Sequence, residues 1–460
     1  MKKQITTVAI IFFMMLQITL WAQWQNIGSG ISSQKTIFSI SAPNQNVIWA
    51  VAPEESFGAC YDFTMTTDGG NSWHQGLLPD TIGDFFPGHI FAINDQTAWV
   101  IMINTPEQDR IRIFKTNNGG AAWQEQTGEY NTKGYAFATL HFFNPNEGIG
   151  FGSPGTGNAL IDSMRIYHTI DGGSNWKRIP TASLPSPLAG EGVWVYGNNR
   201  YESKNDTLWF GTRASRVFRT TDRGLSWQAF NAGISGSSSY PGLASIAFQN
   251  SKQGIVTSYL PSQVAVTSDG GETWTKIPVP TTPRASDIEY IPGTTATYII
   301  NQAYLNTGNN SKYLISYDGG IKWKTVSYSP AIPVLKFLSP TVGFAGGQIL
   351  SPTSGGIYKW TGNWLDSTIT STGNVLPKNP IIEVYPNPVK DKLTIELQDD
   401  ISIENNLTLT LFNVFGQRVK QISINSKVSN IELGTLPAGI YFYRVHNRQT
   451  VFTAEKIVKE

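Results

Sequence analysis

The chain has 460 residues, of which 40% are hydrophobic and 15% are charged, and its formal net charge is +1 at pH 7. Such a balanced charge argues against nucleic acid or an anionic membrane surface as the main partner, because both attract strongly basic proteins. The single cysteine, Cys60, excludes an internal disulfide, so the fold must be stabilised by its core.

The first 22 residues predict a secretory signal peptide. Lys2 and Lys3 form its charged region, an apolar run extends from Val8 to Leu20, and Ala22 supplies a small residue at the cleavage site. The apolar run is short for a membrane-spanning helix. We therefore expect removal of residues 1–22 and no membrane span in the mature chain.

Residues 23–366 carry six copies of one short pattern, in which a hydroxyl residue is followed by an acid or amide, glycine and tryptophan. The tryptophans recur at intervals of 50, 53, 51, 47 and 49 residues. A period of this size is typical of repeat architectures. The acid or amide and the tryptophan of the six copies are Asp68 and Trp73, Asn118 and Trp123, Asp171 and Trp176, Asp222 and Trp227, Asp269 and Trp274, and Asp318 and Trp323.

Each copy predicts a β-hairpin, as residues 265–277 illustrate. A β-rich run enters a polar turn and a second run leaves through Trp274. Asp269 can accept hydrogen bonds from backbone N–H groups of the turn, and Gly271 can adopt a positive φ. Because Trp274 has a large apolar body to bury, we expect the tryptophans to lie between neighbouring sheets.

Two further strand-like runs precede each box, for example residues 89–94 and 97–103 in the second repeat. Each repeat therefore supplies four short antiparallel strands. Four strands in a repeat of about fifty residues predict one blade of a β-propeller.

A seventh, degraded repeat follows the sixth box. Residues 334–338, 341–345 and 356–360 predict its first three strands. Its fourth strand is either 363–366 or the N-terminal run 24–27, and the sequence leaves this choice open. Residues 23–366 therefore predict an all-β fold, a seven-bladed β-propeller whose closure removes open sheet edges.

The remaining sequence predicts a linker and a second domain. Residues 367–380 are rich in Ser, Thr, Asn and Pro and read as a linker. Beyond them, runs such as 392–397 and 439–445 alternate like strands. About seven strands in residues 381–460 predict a small C-terminal β-sandwich.

The C-terminal region resembles the C-terminal sorting domain of the type IX secretion system. Residues 385–388, 411–417 and 436–441 carry the resemblance, in matching order and spacing. It implies that residues 381–460 are read by the secretion machinery of a Gram-negative bacterium. It also implies that the protein is secreted or attached to the outer cell surface.

The six boxes resemble the Asp-box (BNR) repeat of sialidases, xyloglucan-cleaving glycosidases, sortilin-type receptors and photosystem II assembly-factor-like propellers. In these families the box is structural and lies at the rim, away from catalytic centres, so its acids are not counted here as catalytic. Residues 148–154, 190–196 and 210–219 resemble the assembly-factor-like group in particular. The resemblance thus implies the fold without naming a ligand.

We predict a scaffold that binds a protein or glycan at one end of the propeller channel, where concave sites commonly form. The sequence contains no recognisable catalytic set, cofactor motif or metal-binding spacing. Glu191 is expected to begin the first strand of its repeat and so to line the channel. The tentative binding residues are Glu191, Trp194, Tyr196, Arg213 and Arg216.

An extracellular glycoside hydrolase, sialidase-like or polysaccharide-cleaving, remains the alternative. Such an enzyme needs two carboxylates that face the scissile bond. The sialidase-like motif Arg178-Ile179-Pro180 follows the third box instead of preceding the first. Two carboxylates paired at an open end of the channel would favour an enzyme, whereas a mixed polar lining would favour a binding protein.

Overall fold

The structure is a computed structural model. It describes residues 24–31, 35–53, 61–79, 85–104, 110–130, 139–154, 163–193, 200–238, 240–258, 263–279, 287–302, 311–328, 332–364, 382–397, 407–413, 418–446 and 451–460. The predicted signal peptide and the whole predicted linker, residues 367–380, lie outside these residues, as do Trp194 and Tyr196.

The chain divides into two compact units, residues 1–369 and 370–460. The described parts of both are built from β-strands, and the first also contains a 3₁₀ turn at Thr181–Ser183. Within the described residues, no helix has the length and apolar character that a membrane span requires.

In the first unit, the described strands form seven sheets, which we number in chain order. The first strand of the chain is β1, Trp24–Gly28. Sheet 1 contains β2 Ser39–Ser41, β3 Ile48–Val51, β4 Asp62–Thr66 and β5 His74–Leu77. Sheet 2 contains β6 Phe85–Ala92, β7 Ala98–Asn104, β8 Ile111–Thr116 and β9 Gln124–Glu125. Sheet 3 contains β10 Thr127–Gly128, β11 Thr139–Phe142, β12 Gly148–Gly152, β13 Arg165–Thr169 and β14 Asn175–Arg178.

The remaining four sheets follow the same antiparallel order. Sheet 4 contains β15 Tyr201–Lys204, β16 Thr207–Gly211, β17 Arg216–Thr220 and β18 Gln228–Asn231. Sheet 5 contains β19 Leu243–Phe248, β20 Gly254–Ser258, β21 Val264–Thr267 and β22 Thr275–Ile277. Sheet 6 contains β23 Asp287–Tyr290, β24 Tyr298–Gln302, β25 Ser311–Ser316 and β26 Lys324–Tyr328. Sheet 7 contains β27 Val334–Ser339, β28 Val342–Ser351 and β29 Ser354–Trp360, and takes β1 as its fourth strand.

The sequence left open which run forms the fourth strand of the last sheet, and the structure shows that it is the N-terminal strand β1. β1 pairs antiparallel with β29, with Trp24 opposite Trp360. The Trp24 ring lies 5.7 Å from the Phe337 ring and 5.2 Å from the Trp360 ring. Trp364, from the competing run, lies outside the strands and stacks on Trp360 at 4.7 Å. The two ends of the first unit therefore meet in one sheet.

Seven hydrophobic clusters join the sheets, and each cluster takes its buried residues from two consecutive sheets. The seventh cluster joins sheet 7 to sheet 1 and includes Phe344 and Ile48. The box tryptophans contribute to these clusters as expected. Trp123, which precedes β9, contacts the Phe63 ring of sheet 1 at 5.3 Å. Apolar burial between sheets is thus the main contribution to stability that the fold offers.

The second unit contains two sheets, one formed by β30 Ile382–Tyr385, β31 Lys392–Leu397 and β34 Val428–Glu432. The other is formed by β32 Leu407–Asn413, β33 Arg418–Ile424, β35 Gly439–His446 and β36 Val451–Lys459. A single hydrophobic cluster collects buried residues from both sheets, among them Ile395, Leu409 and Val445.

The closing strand generates a stability prediction. Trp24→Ala should lower the free energy of unfolding by about 2 kcal/mol, because it removes an indole that packs on two other rings. Gln25→Ala, on the exposed side of the same strand, should cost less than about 0.5 kcal/mol. Urea denaturation of both variants measures the difference, and equal midpoints would contradict a stabilising role for Trp24.

Candidate functional site

The six boxes share one hydrogen-bond network, which the fifth box illustrates. The Thr267 hydroxyl donates to Asp269 Oδ1 at 2.8 Å and accepts the Gly271 N–H at 3.0 Å. Asp269 Oδ1 also accepts the Thr273 N–H at 3.0 Å. The other five boxes repeat the contacts of the hydroxyl with the acid or amide and with the second glycine.

The turn geometry gives a structural role to the second glycine and to the acid of each box. The second glycine of every box has a φ between 85° and 95°, where an L side chain would be strained. The Asp68 carboxylate accepts the hydroxyl and N–H of Ser72 and the hydroxyl of Thr66, and these bonds hold its pKa below the usual range. The box acid is therefore engaged in its own turn.

Two of the three predicted binding residues that the structure describes, Glu191 and Arg216, form an ion pair between the segment before β15 and the start of β17. Arg216, which begins β17, donates through Nε to Glu191 Oε1 at 3.0 Å and through Nη2 to Oε2. The Thr212 hydroxyl and the Leu188 N–H also donate to Glu191, at 2.8 Å and 2.9 Å. Glu191 does not begin the first strand of its sheet as expected, since that strand is β15.

Arg213 belongs to the same neighbourhood, because its N–H donates to the Gly192 carbonyl at 2.7 Å. Its guanidinium lies against Gly192 and the Ser153 hydroxyl, where a β-carbon on Gly192 would collide with it. These contacts anchor the loop before β15 onto the turn between β16 and β17. The bonds of Glu191 have an evident structural use, and its binding role stays a prediction.

The first strands of neighbouring sheets are joined by side chains that bridge from one sheet to the next. The Ser39 hydroxyl of sheet 1 accepts the Ile90 N–H of sheet 2 at 3.2 Å. Two residues further on, the Ser41 hydroxyl accepts the Ala92 N–H at 2.9 Å. Because first strands lie at the edges of their sheets, their N–H groups need acceptors from outside their own sheet.

Similar bridges join sheet 5 to sheet 6 and sheet 6 to sheet 7. The first uses a serine, and the second uses two carboxylates. The Ser245 hydroxyl accepts the Ile288 N–H and donates to Asp287 Oδ1, both at 3.1 Å. Asp287 Oδ2 accepts the Leu335 N–H at 3.1 Å. Glu289 Oε1 accepts the Phe337 N–H at 3.2 Å. We call Ser39, Ser41, Ser245, Asp287 and Glu289 the bridging residues.

Two ion pairs lie next to the bridging residues. Lys336 Nζ lies 3.2 Å from Glu289 Oε1, and Lys204 Nζ lies 3.3 Å from Glu202 Oε1. The lysine side chains are the more exposed partners, at 34% and 28% against 4% for Glu289 and 17% for Glu202. The Glu289 carboxylate raises the pKa of Lys336, so this ammonium stays charged.

The first strands of sheets 2, 3 and 4 carry three aromatic side chains that lie near one another, His89, His141 and Tyr201. The His141 ring lies 5.5 Å and the His89 ring 6.2 Å from the Tyr201 ring. Burial lowers the pKa of His89 to about 4. Burial, reinforced by repulsion from His89 and Lys336, lowers the pKa of His141 to about 3. Both imidazoles are therefore neutral at physiological pH, and Lys336 lies close enough to influence one of them.

Three further acids before the fourth sheet, Asp62, Asp84 and Asp162, are either engaged in an ion pair or lie outside the described residues. Asp62 forms an ion pair with Lys35 and accepts a bond from Gln75 at 3.0 Å. Asp84 and Asp162 lie outside the described residues. Among the residues described, no three His, Cys, Asp or Glu side chains are grouped as metal ligands would be.

The sequence analysis did not identify Glu289 and Lys336 as candidate functional residues. Lys336 lies in the run 334–338, which was predicted as a first strand, and its partner Glu289 is 47 residues away in the chain. A signal existed in Asp287 and Glu289, two acids at alternate positions of one buried strand. Alternate positions of a strand face the same side, so the pair indicated a polar surface there.

Three family models match separate parts of the chain. Residues 383–460 match the secretion system C-terminal sorting domain. Residues 107–240 match the photosynthesis system II assembly factor YCF48, and residues 215–331 match the sortilin (neurotensin receptor 3) model. Residues 107–331 are thus similar to Asp-box β-propeller families, and residues 383–460 to a C-terminal sorting domain. The sorting domain implies handling by the type IX secretion system, and hence secretion or attachment at the outer surface.

Solved structures agree with the propeller fold. A structure described as YCF48 bound to D1 peptide has 17% identity and a TM-score of 0.51, and the match covers 75% of this chain and 98% of that one. YCF48 from Cyanidioschyzon merolae has 17% identity and a TM-score of 0.52, with 74% and 99% covered. The GH74 xyloglucanase from Xanthomonas campestris has 11% identity and a TM-score of 0.52, with 82% and 59% covered. A search of curated proteins found no match.

The second box has an amide in place of the acid, and this predicts how the other boxes respond to an Asp→Asn substitution. Asn118 takes the place of the box acid and still accepts the Ala122 N–H at 2.9 Å. Asp269→Asn should therefore change the free energy of unfolding by less than about 0.5 kcal/mol, whereas Asp269→Ala should lower it by about 1 kcal/mol or more. Chemical denaturation measures both, and a loss in the Asn variant as large as in the Ala variant would show that charge is what matters.

The bridging carboxylate Asp287 should make stability depend on pH. Burial, reinforced by Glu289, raises the pKa of Asp287 to about 7. The folded state then holds a proton that the unfolded state releases near pH 4, so its stabilising contribution declines as the pH rises from 4 to 7. Asp287→Asn keeps the hydrogen-bond acceptor and removes this titration.

The Asp287→Asn variant should therefore gain stability relative to the wild type as the pH rises from 4 to 7, and the difference should level off above pH 7. Thermal unfolding of both proteins between pH 4 and pH 8 measures it. A difference that is constant across this range would contradict a raised pKa for Asp287.

Proposed function

We propose that the exported chain is a ligand-binding scaffold whose first unit is a closed, seven-bladed β-propeller and whose second unit is a small β-sandwich. Seven sheets, seven clusters shared between consecutive sheets and the pairing of β1 with β29 support the closed ring. The cluster shared by two sheets supports the sandwich. In a closed ring the seven first strands surround a central channel.

The observation that carries a binding function is the mixed charge of the channel lining. Glu202, Lys204, Glu289 and Lys336 alternate in sign and neutralise one another in pairs. A glycoside hydrolase needs two carboxylates that are available to a substrate. Asp287 and Glu289 are instead engaged in bridges to the next sheet. This use of the carboxylates favours a binding protein over the enzyme alternative.

A ligand would reach the channel from the end where the first strands terminate. Lys204 is the last residue of β15 and is more exposed than its partner Glu202. In the turn that follows Lys204, the Asp206 carbonyl oxygen accepts the backbone N–H of Arg223, a residue of the fourth box, at 3.0 Å. The fourth-box turn therefore lies at the same end as Lys204.

The class of ligand that we favour is an extended peptide segment of an extracellular or surface protein. A protein of the same fold has been captured in a structure described as YCF48 bound to D1 peptide. Alternating charges at short spacing suit a peptide, which presents backbone donors and acceptors together with charged side chains. A glycan ligand is the competing outcome of the test.

The test uses the full mature chain against a peptide array and a glycan array. Saturable binding to peptides is expected, and Lys204→Glu should weaken it roughly tenfold, because it places a second carboxylate beside Glu202. Lys276→Glu, a matched charge reversal on the exposed outer strand β22, should leave binding unchanged.

Glu191→Ala tests the sequence-based site in the same assay. Binding that is lost with Glu191→Ala and kept with Lys204→Glu would place the site at the Glu191–Arg216 ion pair and contradict the channel assignment. Binding to glycans alone would overturn the peptide class. Turnover of polysaccharides or aryl-glycosides by the purified chain would overturn the binding function and establish the enzyme alternative.

A further inference from the structure

Two histidines, the buried His89 and the half-buried His141, occupy the places where other repeats carry bridging residues. His89 follows Ser39 by 50 residues, and His141 follows Ser41 by 100 residues, that is, by two repeats. Ser39 and Ser41 each accept an N–H from the next sheet. Within the described part of the chain, Nδ1 of His89 and Nδ1 of His141 are buried and have no hydrogen-bond partner. The histidines thus hold bridging positions without making the bridge.

An unmade hydrogen bond of this kind costs stability. A buried polar group without a partner loses roughly 1–3 kcal/mol relative to a satisfied one. Native proteins satisfy almost all such groups, so each exception calls for an explanation such as strain, a catalytic role or a bound water or ion. Other buried atoms of the described residues also lack a partner, among them Trp123 Nε1 and Thr257 Oγ1. The two histidine nitrogens differ from these because they lie on the first strands of neighbouring sheets, and both rings lie near the Tyr201 ring.

The groups around the histidines define the chemistry of a suitable partner. Each neutral imidazole carries one N–H donor, a tyrosine hydroxyl can donate, and an ammonium group has three donors. The Lys336 ammonium donates one hydrogen bond to Glu289 Oε1, with Nζ at 3.2 Å, and the lysine side chain is 34% exposed. The surroundings are thus rich in hydrogen-bond donors, and the complementary group is one that only accepts.

We propose that His89, His141, Tyr201 and Lys336 form an oxyanion-binding site inside the channel, and that its ligand is a carboxylate group. The proposal deepens the channel function proposed above and rests on it for the route of entry. The carboxylate accepts bonds from the two imidazoles and the hydroxyl, and the Lys336 ammonium, which is paired with Glu289, donates a further bond with the N–H groups that this pair leaves available. A peptide C-terminus or a small free carboxylate offers the same chemistry.

The experiment follows the imidazole signals of the full mature chain, labelled with ¹⁵N at histidine, by NMR. N-acetylglycine represents a peptide C-terminus, its amide is the uncharged control, and acetate represents a free carboxylate. Sodium phosphate tests other oxyanions, and sodium chloride at equal ionic strength controls for screening. The expected result is a saturable shift of the His89 and His141 signals with N-acetylglycine and acetate, and none with the amide or chloride.

Variants identify the groups responsible. His141→Phe and Lys336→Met should each raise the dissociation constant roughly tenfold or more, because each removes a donor to a charged acceptor. Phe143→Leu is the matched control, since the Phe143 ring contacts His141 at 4.8 Å and offers no polar atom. If Lys336→Met fails to fold, His89→Phe and His141→Phe decide the matter.

Several outcomes would overturn the site. One is a linear shift with every salt, another is an equal response to N-acetylglycine and its amide, and a third is unchanged affinity in both histidine variants. A response to phosphate alone would replace the carboxylate by another oxyanion. Peptide-array binding that persists without any small-anion response would contradict this inference and leave the proposed function intact. Saturable anion binding without any peptide binding would do the reverse.

Discussion

The fold depends on how the first strands of the sheets satisfy their outer N–H groups. Each first strand lies at an edge and cannot form a β-ladder with its neighbour in the next sheet. Ser39, Ser41, Ser245, Asp287 and Glu289 solve this problem by accepting N–H groups of the adjacent first strand. The polar side chains on the first strands therefore meet a structural requirement before any role in binding a ligand is considered.

This requirement changes how carboxylates in the channel are interpreted. Asp287 and Glu289 lie two residues apart on one strand, and at first sight they resemble a catalytic pair. Each of them, however, bridges to β27, and Glu289 also neutralises Lys336. Removing either acid would disturb the ring before it disturbed any chemistry. A loss of function in such variants would thus carry little information, which is why Lys204 at the mouth is the better probe.

The range of each interaction along the chain decides how much of the structure the sequence predicts. An Asp-box network closes within seven residues, as Thr267 to Thr273 shows, so six repeats and their turns are visible in the sequence. The closing strand pairs Trp24 with Trp360, and nothing local distinguishes it from the run around Trp364. The channel joins residues about one repeat apart, such as Glu289 and Lys336, so its ion pairs leave no local pattern. Glu191 was misplaced because its buried pairing with Arg216, 25 residues away, is equally non-local.

In a repeat protein, positions where one repeat differs from the others are candidates for a function beyond the shared fold. Serines and acids at the bridging positions of sheets 1, 5 and 6 make the bond that the ring needs. His89 and His141 occupy such positions, yet the Nδ1 atom of each is buried and has no hydrogen-bond partner within the described residues. Replacing a bridging residue by histidine gives up an inter-sheet hydrogen bond, so it weakens the contact between consecutive sheets. A ligand that accepts a hydrogen bond from these rings, as proposed above, would offset that loss.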